Sequence, residues 1–172
     1  MKKNMIFATD DVFPSNLKYF KYWDLVKEAH PELKLICFVV AKYNNDENED
    51  VSKNQEFKEW YERTKKWVTI GVHGYDHQMP QEGWRDDQEK YITMARNLLM
   101  PYLPTNYLYR PPGFRFLGKT ESILKKLGFA GIAHETVIKY FSTGELFGPI
   151  LNTHCCDKFN NPIEKIWKNL VK

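Results

Sequence analysis

Between Leu33 and Ala41 the chain reads Leu-Lys-Leu-Ile-Cys-Phe-Val-Val-Ala, with a single polar side chain in the run. A strand with one wet face alternates apolar and polar residues. A run without alternation suits a strand covered on both faces, as in a parallel sheet between other layers. The flanking segments agree. Residues 16–30 place Leu17, Phe20, Tyr22, Trp23, Leu25, Val26 and Ala29 at helical spacing, with Ser15 or Asn16 as a cap and Pro31 beyond the end. Further strands are expected over 4–8, 67–72, 107–109, 130–133 and 149–153. Further helices are expected over 56–66, 88–100, 120–127 and 162–170, with Gly128 at a C-cap position. Strands alternating with helices predict an α/β fold with a mostly parallel sheet. At 172 residues, one domain over 1–172 is expected. The stretch from Asn44 to Asp50 has no apolar residue and reads as a solvated loop.

The residues able to do chemistry gather where these strands end: Asp10-Asp11, His73, Arg110 and His154. In parallel barrels and doubly wound sheets the C-terminal strand edge is where sites are built. His73-Gly74-Tyr75-Asp76-His77 carries two imidazoles; Gly71 and Gly74 argue for a loop after a strand rather than a helix face. Taken alone, the pair also fits hydrogen-bonded loop histidines. With Asp11 as a third ligand, it suits a divalent metal with open positions.

Asp10 then offers a free carboxylate beside the metal. Adjacent residues of a strand point to opposite sides, so both aspartates reach one site only if the strand is turning there. A turn or helix cap before Pro14 is the other reading of the pair. Arg110-Pro111-Pro112 is a stiff segment whose guanidinium can clamp a carboxylate, with Asp10 the natural partner; an Arg-capped turn is the alternative. His154 ends the last strand and can act as an acid, or can be a structural strand-end histidine. His30 reads as a surface residue at a helix end, and His134-Glu135 as a candidate support for the site.

The net charge of +3, carried by dispersed lysines, excludes a nucleic-acid track. The apolar run Met5-Ile6-Phe7-Ala8 is too short for a signal-peptide core, and no stretch approaches the ~18 apolar residues of a membrane span. Three cysteines, with Cys155 and Cys156 adjacent, make no disulfide framework, and a cytoplasmic setting is expected.

Thr9-Asp10-Asp11, His73-Gly74-Tyr75-Asp76-His77, Arg110-Pro111-Pro112 and Leu151-Asn152-Thr153-His154, in this order, resemble the motifs of the polysaccharide deacetylase family. This is the NodB-homology domain of carbohydrate esterase family 4; the likeness runs over about 5–155, in a form similar to a divergent branch. The resemblance implies a distorted (β/α) barrel of about seven strands. It implies that Asp10 is the general base, that Asp11, His73 and His77 bind the metal, that Arg110 orients Asp10, and that His154 is the general acid. The metal is most often zinc, with Co, Ni, Fe or Mn as alternatives. Tyr75, Pro112, Gly113 and Phe114 are expected to face the substrate, with Phe114 or Phe116 as an aromatic wall.

The implied reaction removes an N-acetyl group from an amino sugar in a glycan, or in a sugar-linked precursor. Gly74 stands where the family has Ser or Thr. No Asp-x-x-x-Trp segment supports the acid, for which Glu135 and Asp157 are candidate substitutes. The competing readings are a non-catalytic, metal-retaining carbohydrate-binding relative and a metal-dependent amidohydrolase acting on a non-sugar amide. Oligomeric state is not set by any of these features.

Overall fold

The β-branched and aromatic runs form strands and the amphipathic segments between them form helices. A computed structural model of the chain describes residues 6–78 and 85–154, the last of these by its backbone alone. The order is β1 (Ile6–Val12), α1 (Lys21–Ala29), β2 (Leu35–Val39), α2 (Gln55–Thr64), β3 (Val68–Val72), α3 (Gln88–Leu99), β4 (Leu108–Tyr109), α4 (Thr120–Lys126) and β5 (Gly131–Ala133), followed by β6 (Ile138–Tyr140), β7 (Leu146–Phe147) and β8 (Ile150–His154). They build one eight-stranded sheet in the order β7-β6-β5-β4-β3-β2-β1-β8. The ladders from β5 through β1 to β8 are parallel, and β5-β6-β7 is an antiparallel meander. The edges are drawn together where the Ile150 N–H donates to the Thr136 carbonyl at 2.9 Å, between the β8 edge and the β5–β6 turn.

Curling the sheet gives each strand an inner and an outer row. The outer row, including Leu35, Cys37, Val39, Val68, Ile70, Val72, Tyr109 and Ile132, packs against Trp23, Val26, Phe57, Trp60, Ile92, Leu99 and Leu124 of the helices. The inner row forms a separate buried cluster of Ala8, Phe38, Leu108, Ala133, Ile138 and Ile150. Period-two alternation makes both rows apolar, which is why β2 shows no alternation. Phe38 fills the inside because Gly71 yields room: a Cβ there would lie 2.6 Å from the Phe38 ring.

Several expectations are corrected. The acidic pair lies inside β1 rather than beyond its end. The helix expected over 16–30 is split into a 3₁₀ helix, Pro14–Tyr19, and α1, with Phe20 between them. Pro14 occupies the first turn, where its missing N–H is harmless. Neither Ser15 nor Asn16 caps a helix; the Asn16 amide donates to the Asp11 carbonyl at 2.9 Å instead. Strands β6 and β7, three and two residues long, went unread.

The acidic stretch from Asn44 to Asp50 is ordered by two 3₁₀ turns and a bridge between Lys42 and Asp50. Lys42 and Lys53 both hold Glu47, and their hydrogen bonds draw its carboxyl down to about 2. The expected helix over 162–170, Cys155-Cys156 and Asp157 lie outside the described residues.

Candidate metal centre at the C-terminal strand ends

Each polar candidate at a strand end continues an inner row. Asp10 follows Ala8, His73 follows Gly71, Arg110 follows Leu108 and Asn152 follows Ile150, each two residues on. Alternation therefore turns the same face of four strands from apolar to polar at its C-terminal end. Backbone bonds carry the ladders one residue further: the His73 N–H reaches the Val39 carbonyl and the Arg110 N–H the Val72 carbonyl, both at 2.8 Å.

Asp11 belongs to the outer row by alternation, yet it reaches the same site. Thr9 pairs with Cys37 and Val12 with Val39, so β1 spends one more residue than β2 over this interval. That residue is accommodated by a bulge with Asp11 at φ 55. Aspartate tolerates the left-handed region better than most residues, and a bulge re-aims a side chain.

The Asp11 Oδ1 lies 3.4 Å from His73 Nε2 and 3.1 Å from His77 Nε2. One ligand atom from each of the three residues lies within 4.8 Å of the others. Ligands about 2.0–2.1 Å from a tetrahedral ion stand about 3.4 Å apart, so the donor set fits a divalent ion. His73 Nδ1 is 2.9 Å from the Arg110 carbonyl, which fixes that nitrogen as the donor and turns Nε2 toward Asp11. Burial works to lower the His73 pKa, but the Asp11 and Asp10 carboxylates outweigh it and hold the imidazole above its usual value.

The segment bearing His77 is tied to the chain after β2. The N–H groups of Ala41, Lys42 and Asn44 donate to the carbonyls of Gly74, Tyr75 and Asp76 at 3.1, 2.7 and 2.9 Å. Gly74 has φ 85, a conformation that disfavours Ser or Thr and accounts for glycine at this position. Asp76 is buried, accepting from the Gln78 N–H at 3.1 Å and facing Arg85 at 3.5 Å.

Arg110 is fully buried. Its Nη1 donates to Asp10 Oδ1 at 2.7 Å and to Asn152 Oδ1 at 2.6 Å, and its Nη2 reaches the His134 carbonyl at 3.2 Å. The guanidinium carbon sits 4.1 Å from the Phe38 ring centre and 5.6 Å from that of Phe114. His134 thus supports the site through its carbonyl; its ring lies against Phe116, and Glu135 is exposed. Asn152 closes the ring of contacts, donating to Asp10 Oδ2 at 2.8 Å.

The substrate-facing candidates separate. Gly113 is exposed and Phe114 half-buried, while Pro112 is buried beneath them in a 3₁₀ turn. Tyr75 is 7% exposed, belongs to the core cluster and packs edge-on against Tyr91. Its position between two histidines concealed this, because the loop turns at Gly74. Two features carried no assignment in the sequence. Asn152 lay unmarked within its motif, and Tyr43, stacked on Phe13 at 3.9 Å, lies 6.5 Å from the His77 ring. His154 is the register partner of Asp10 on β8; its side chain lies outside the described atoms.

No family model and no curated protein matches the sequence. Solved structures do match the fold. A peptidoglycan N-acetylglucosamine deacetylase superposes with a TM-score of 0.65 at 17% identity, over 98% of this chain and 83% of that one. A family 4 acetyl xylan esterase from Clostridium thermocellum, solved with a cobalt ion, gives 0.61 at 16% identity, over 97% and 80%. A carbohydrate esterase family 4 pseudoenzyme from Bacillus anthracis gives 0.64 at 14%, over 98% of this chain and 62% of its own length, so the chain spans under two thirds of that protein. The architecture is that of the carbohydrate esterase family 4 deacetylases, a distorted (β/α) barrel, here with eight strands. The low identities agree with a divergent branch of that fold. Among the described residues no helix is long and apolar enough to cross a membrane.

Proposed function

We propose that the chain is a metal-dependent hydrolase that removes an N-acetyl group from an amino sugar in a glycan or glycan precursor. The observation that carries this reading is the juxtaposition of a His₂Asp donor set with a second, Arg-held carboxylate at one end of the barrel. Asp11, His73 and His77 hold the ion, most readily zinc, with Co, Ni, Fe or Mn also matched to the donors. When bound, a divalent ion supplies Lewis acidity for a carbonyl oxygen and lowers the pKa of water.

Asp10 accepts the proton of the attacking water, and Arg110 holds that carboxylate in place. His154, which stands opposite Asp10 in the β1–β8 register, protonates the departing amine. Gly113 and Phe114 border the substrate side, on the stiff turn that follows Arg110.

The test is acetate release from an N-acetylated chito-oligosaccharide by protein loaded with zinc or cobalt. About one ion per chain is expected, with turnover lost in Asp10→Asn and the ion lost in Asp11→Ala. Equal acetate release by parent, Asp10→Asn and Asp11→Ala would overturn the reading. Saccharide binding without turnover in the parent would favour a non-catalytic role, as the name of the pseudoenzyme with this fold describes for that protein.

A further inference from the structure

The carboxylate of Asp10 is held at both oxygens, and only one of its holders is the arginine. Oδ1 accepts from Arg110 Nη1 at 2.7 Å, and Oδ2 accepts from Asn152 Nδ2 at 2.8 Å. Asn152 Oδ1 in turn accepts from the same Arg110 Nη1 at 2.6 Å. The three side chains therefore close a ring in which the asparagine uses its donor on the carboxylate and its acceptor on the guanidinium. The assignment of amide nitrogen and oxygen follows from this: the opposite orientation would aim Oδ1 at a carboxylate and Nδ2 at a cation.

The position is set by the strand. Asn152 pairs with Ala8, one inner-row step before the Asp10–His154 pair, so it lies directly beneath Asp10 on the neighbouring strand. Leu151, its neighbour, pairs with Phe7, a residue packed against the outer core. The motif's leucine is thus turned to the outer row, and the side chain set against Asp10 is an amide.

We infer that Asn152 is a positioning residue for the proposed base: it fixes the rotation of the Asp10 carboxylate by holding Oδ2 while Arg110 holds Oδ1. One hydrogen bond from Arg110 leaves that carboxylate free to turn about its χ2 torsion, which is broad for a carboxylate. Two bonds to different oxygens remove the freedom. A base acts on a proton within ~2.6–3.2 Å, so its orientation decides how often it is competent. Asn152 touches none of the three metal-binding side chains in any contact described, so its effect is separable from metal binding.

This inference rests on the deacetylase reading for its catalytic consequence, and on the ring alone for its structural one. The experiment follows both. With the zinc-loaded protein and an N-acetylated chito-oligosaccharide, Asn152→Leu is expected to keep its metal and its KM within about twofold and to lose kcat by about tenfold or more. The side-chain amide of Asn152, followed by nitrogen-15 NMR in the metal-free parent, is expected to move from a shifted, exchange-protected position to an ordinary one in Asp10→Ala. Turnover by Asn152→Leu at the parental rate would overturn the positioning role. An Asn152 amide signal unchanged in Asp10→Ala would overturn the ring itself, whether or not any saccharide is turned over. No turnover by the parent, with the amide signal moving as expected, would count against the reading of function and leave the ring standing.

Discussion

His73 Nδ1 lies 2.9 Å from the backbone carbonyl of Arg110, and the side chain of that arginine lies 2.7 Å from Asp10. One residue, the first after β4, thus orients the candidate ligand imidazole through its backbone and the neighbouring carboxylate through its side chain. The two tasks are chemically independent, so they can be separated by substitution.

Replacing the arginine side chain leaves the carbonyl in place. Arg110→Met is therefore expected to retain zinc within about threefold of the parent affinity while losing stability, because Asp10 would be a buried carboxylate without its cation. Breaking a buried pair on one side costs about 3–5 kcal/mol. Asp10→Asn combined with Arg110→Met should recover much of that loss. Denaturant unfolding of the four proteins gives the cycle. Additive losses would show that the pair does not interact as the 2.7 Å contact implies.

The donor atoms of Asp11, His73 and His77 converge, so each alanine variant leaves two ligands for an ion that needs at least three. Affinity for zinc is expected to fall by more than about a hundredfold in each, a greater loss than the 10–100-fold typical of removing a supporting group. Competition with a chelating indicator reads it directly. Full occupancy in all three variants would remove the site.

Much of the site was readable because a strand repeats every second residue. Asp10, His73 and Arg110 each follow an inner-row residue, so their convergence needs only the alternation and a parallel sheet. What resisted reading depended on long-range geometry. Asp11 is expected at the site on condition that the strand turns there, but the form of that turn, a bulge with φ 55, is not announced by the local sequence. Asn152 takes its role from Asp10 and Arg110, which are 142 and 42 residues away along the chain. Tyr75 sits between two ligand candidates in sequence and in the core in space, because Gly74 reverses the backbone at φ 85. Strands β6 and β7 are defined by their antiparallel pairing, β6 onto β5 and β7 onto β6, rather than by an apolar run of their own.

The chain after β2 bears on the site through its bonds to the His77 segment, and Glu47 organises that chain. Its carboxyl, drawn to about 2 by hydrogen bonds from Lys42 and Lys53, starts from an ordinary 4.5. A folded-state value below the unfolded one means stability that is complete above the unfolded value and lost as pH falls toward the folded one. Parent and Glu47→Gln should therefore differ in stability above pH 4.5 and converge as pH falls through about 2. Glu47 and Lys53 are exposed, so high salt should shrink the difference. A gap that persists at pH 2 or ignores salt would assign it to packing rather than charge.

Phe38 joins the core to the chemistry. Its ring fills the barrel over Gly71 and carries the Arg110 guanidinium on its face at 4.1 Å. A methyl group at residue 71 would come within 2.6 Å of that ring, a distance no side chain accepts, so the ring must move. Overpacking of this kind costs about 1–3 kcal/mol. In Gly71→Ala the displaced ring pushes on the arginine that holds Asp10, so turnover should fall along with stability while zinc affinity stays near the parent value. Trimming the ring relieves the clash: Gly71→Ala with Phe38→Leu should be more stable than the sum of the two single losses allows. Thermal unfolding of parent, singles and double tests this, and simple additivity would mean that the ring and residue 71 do not compete for one space.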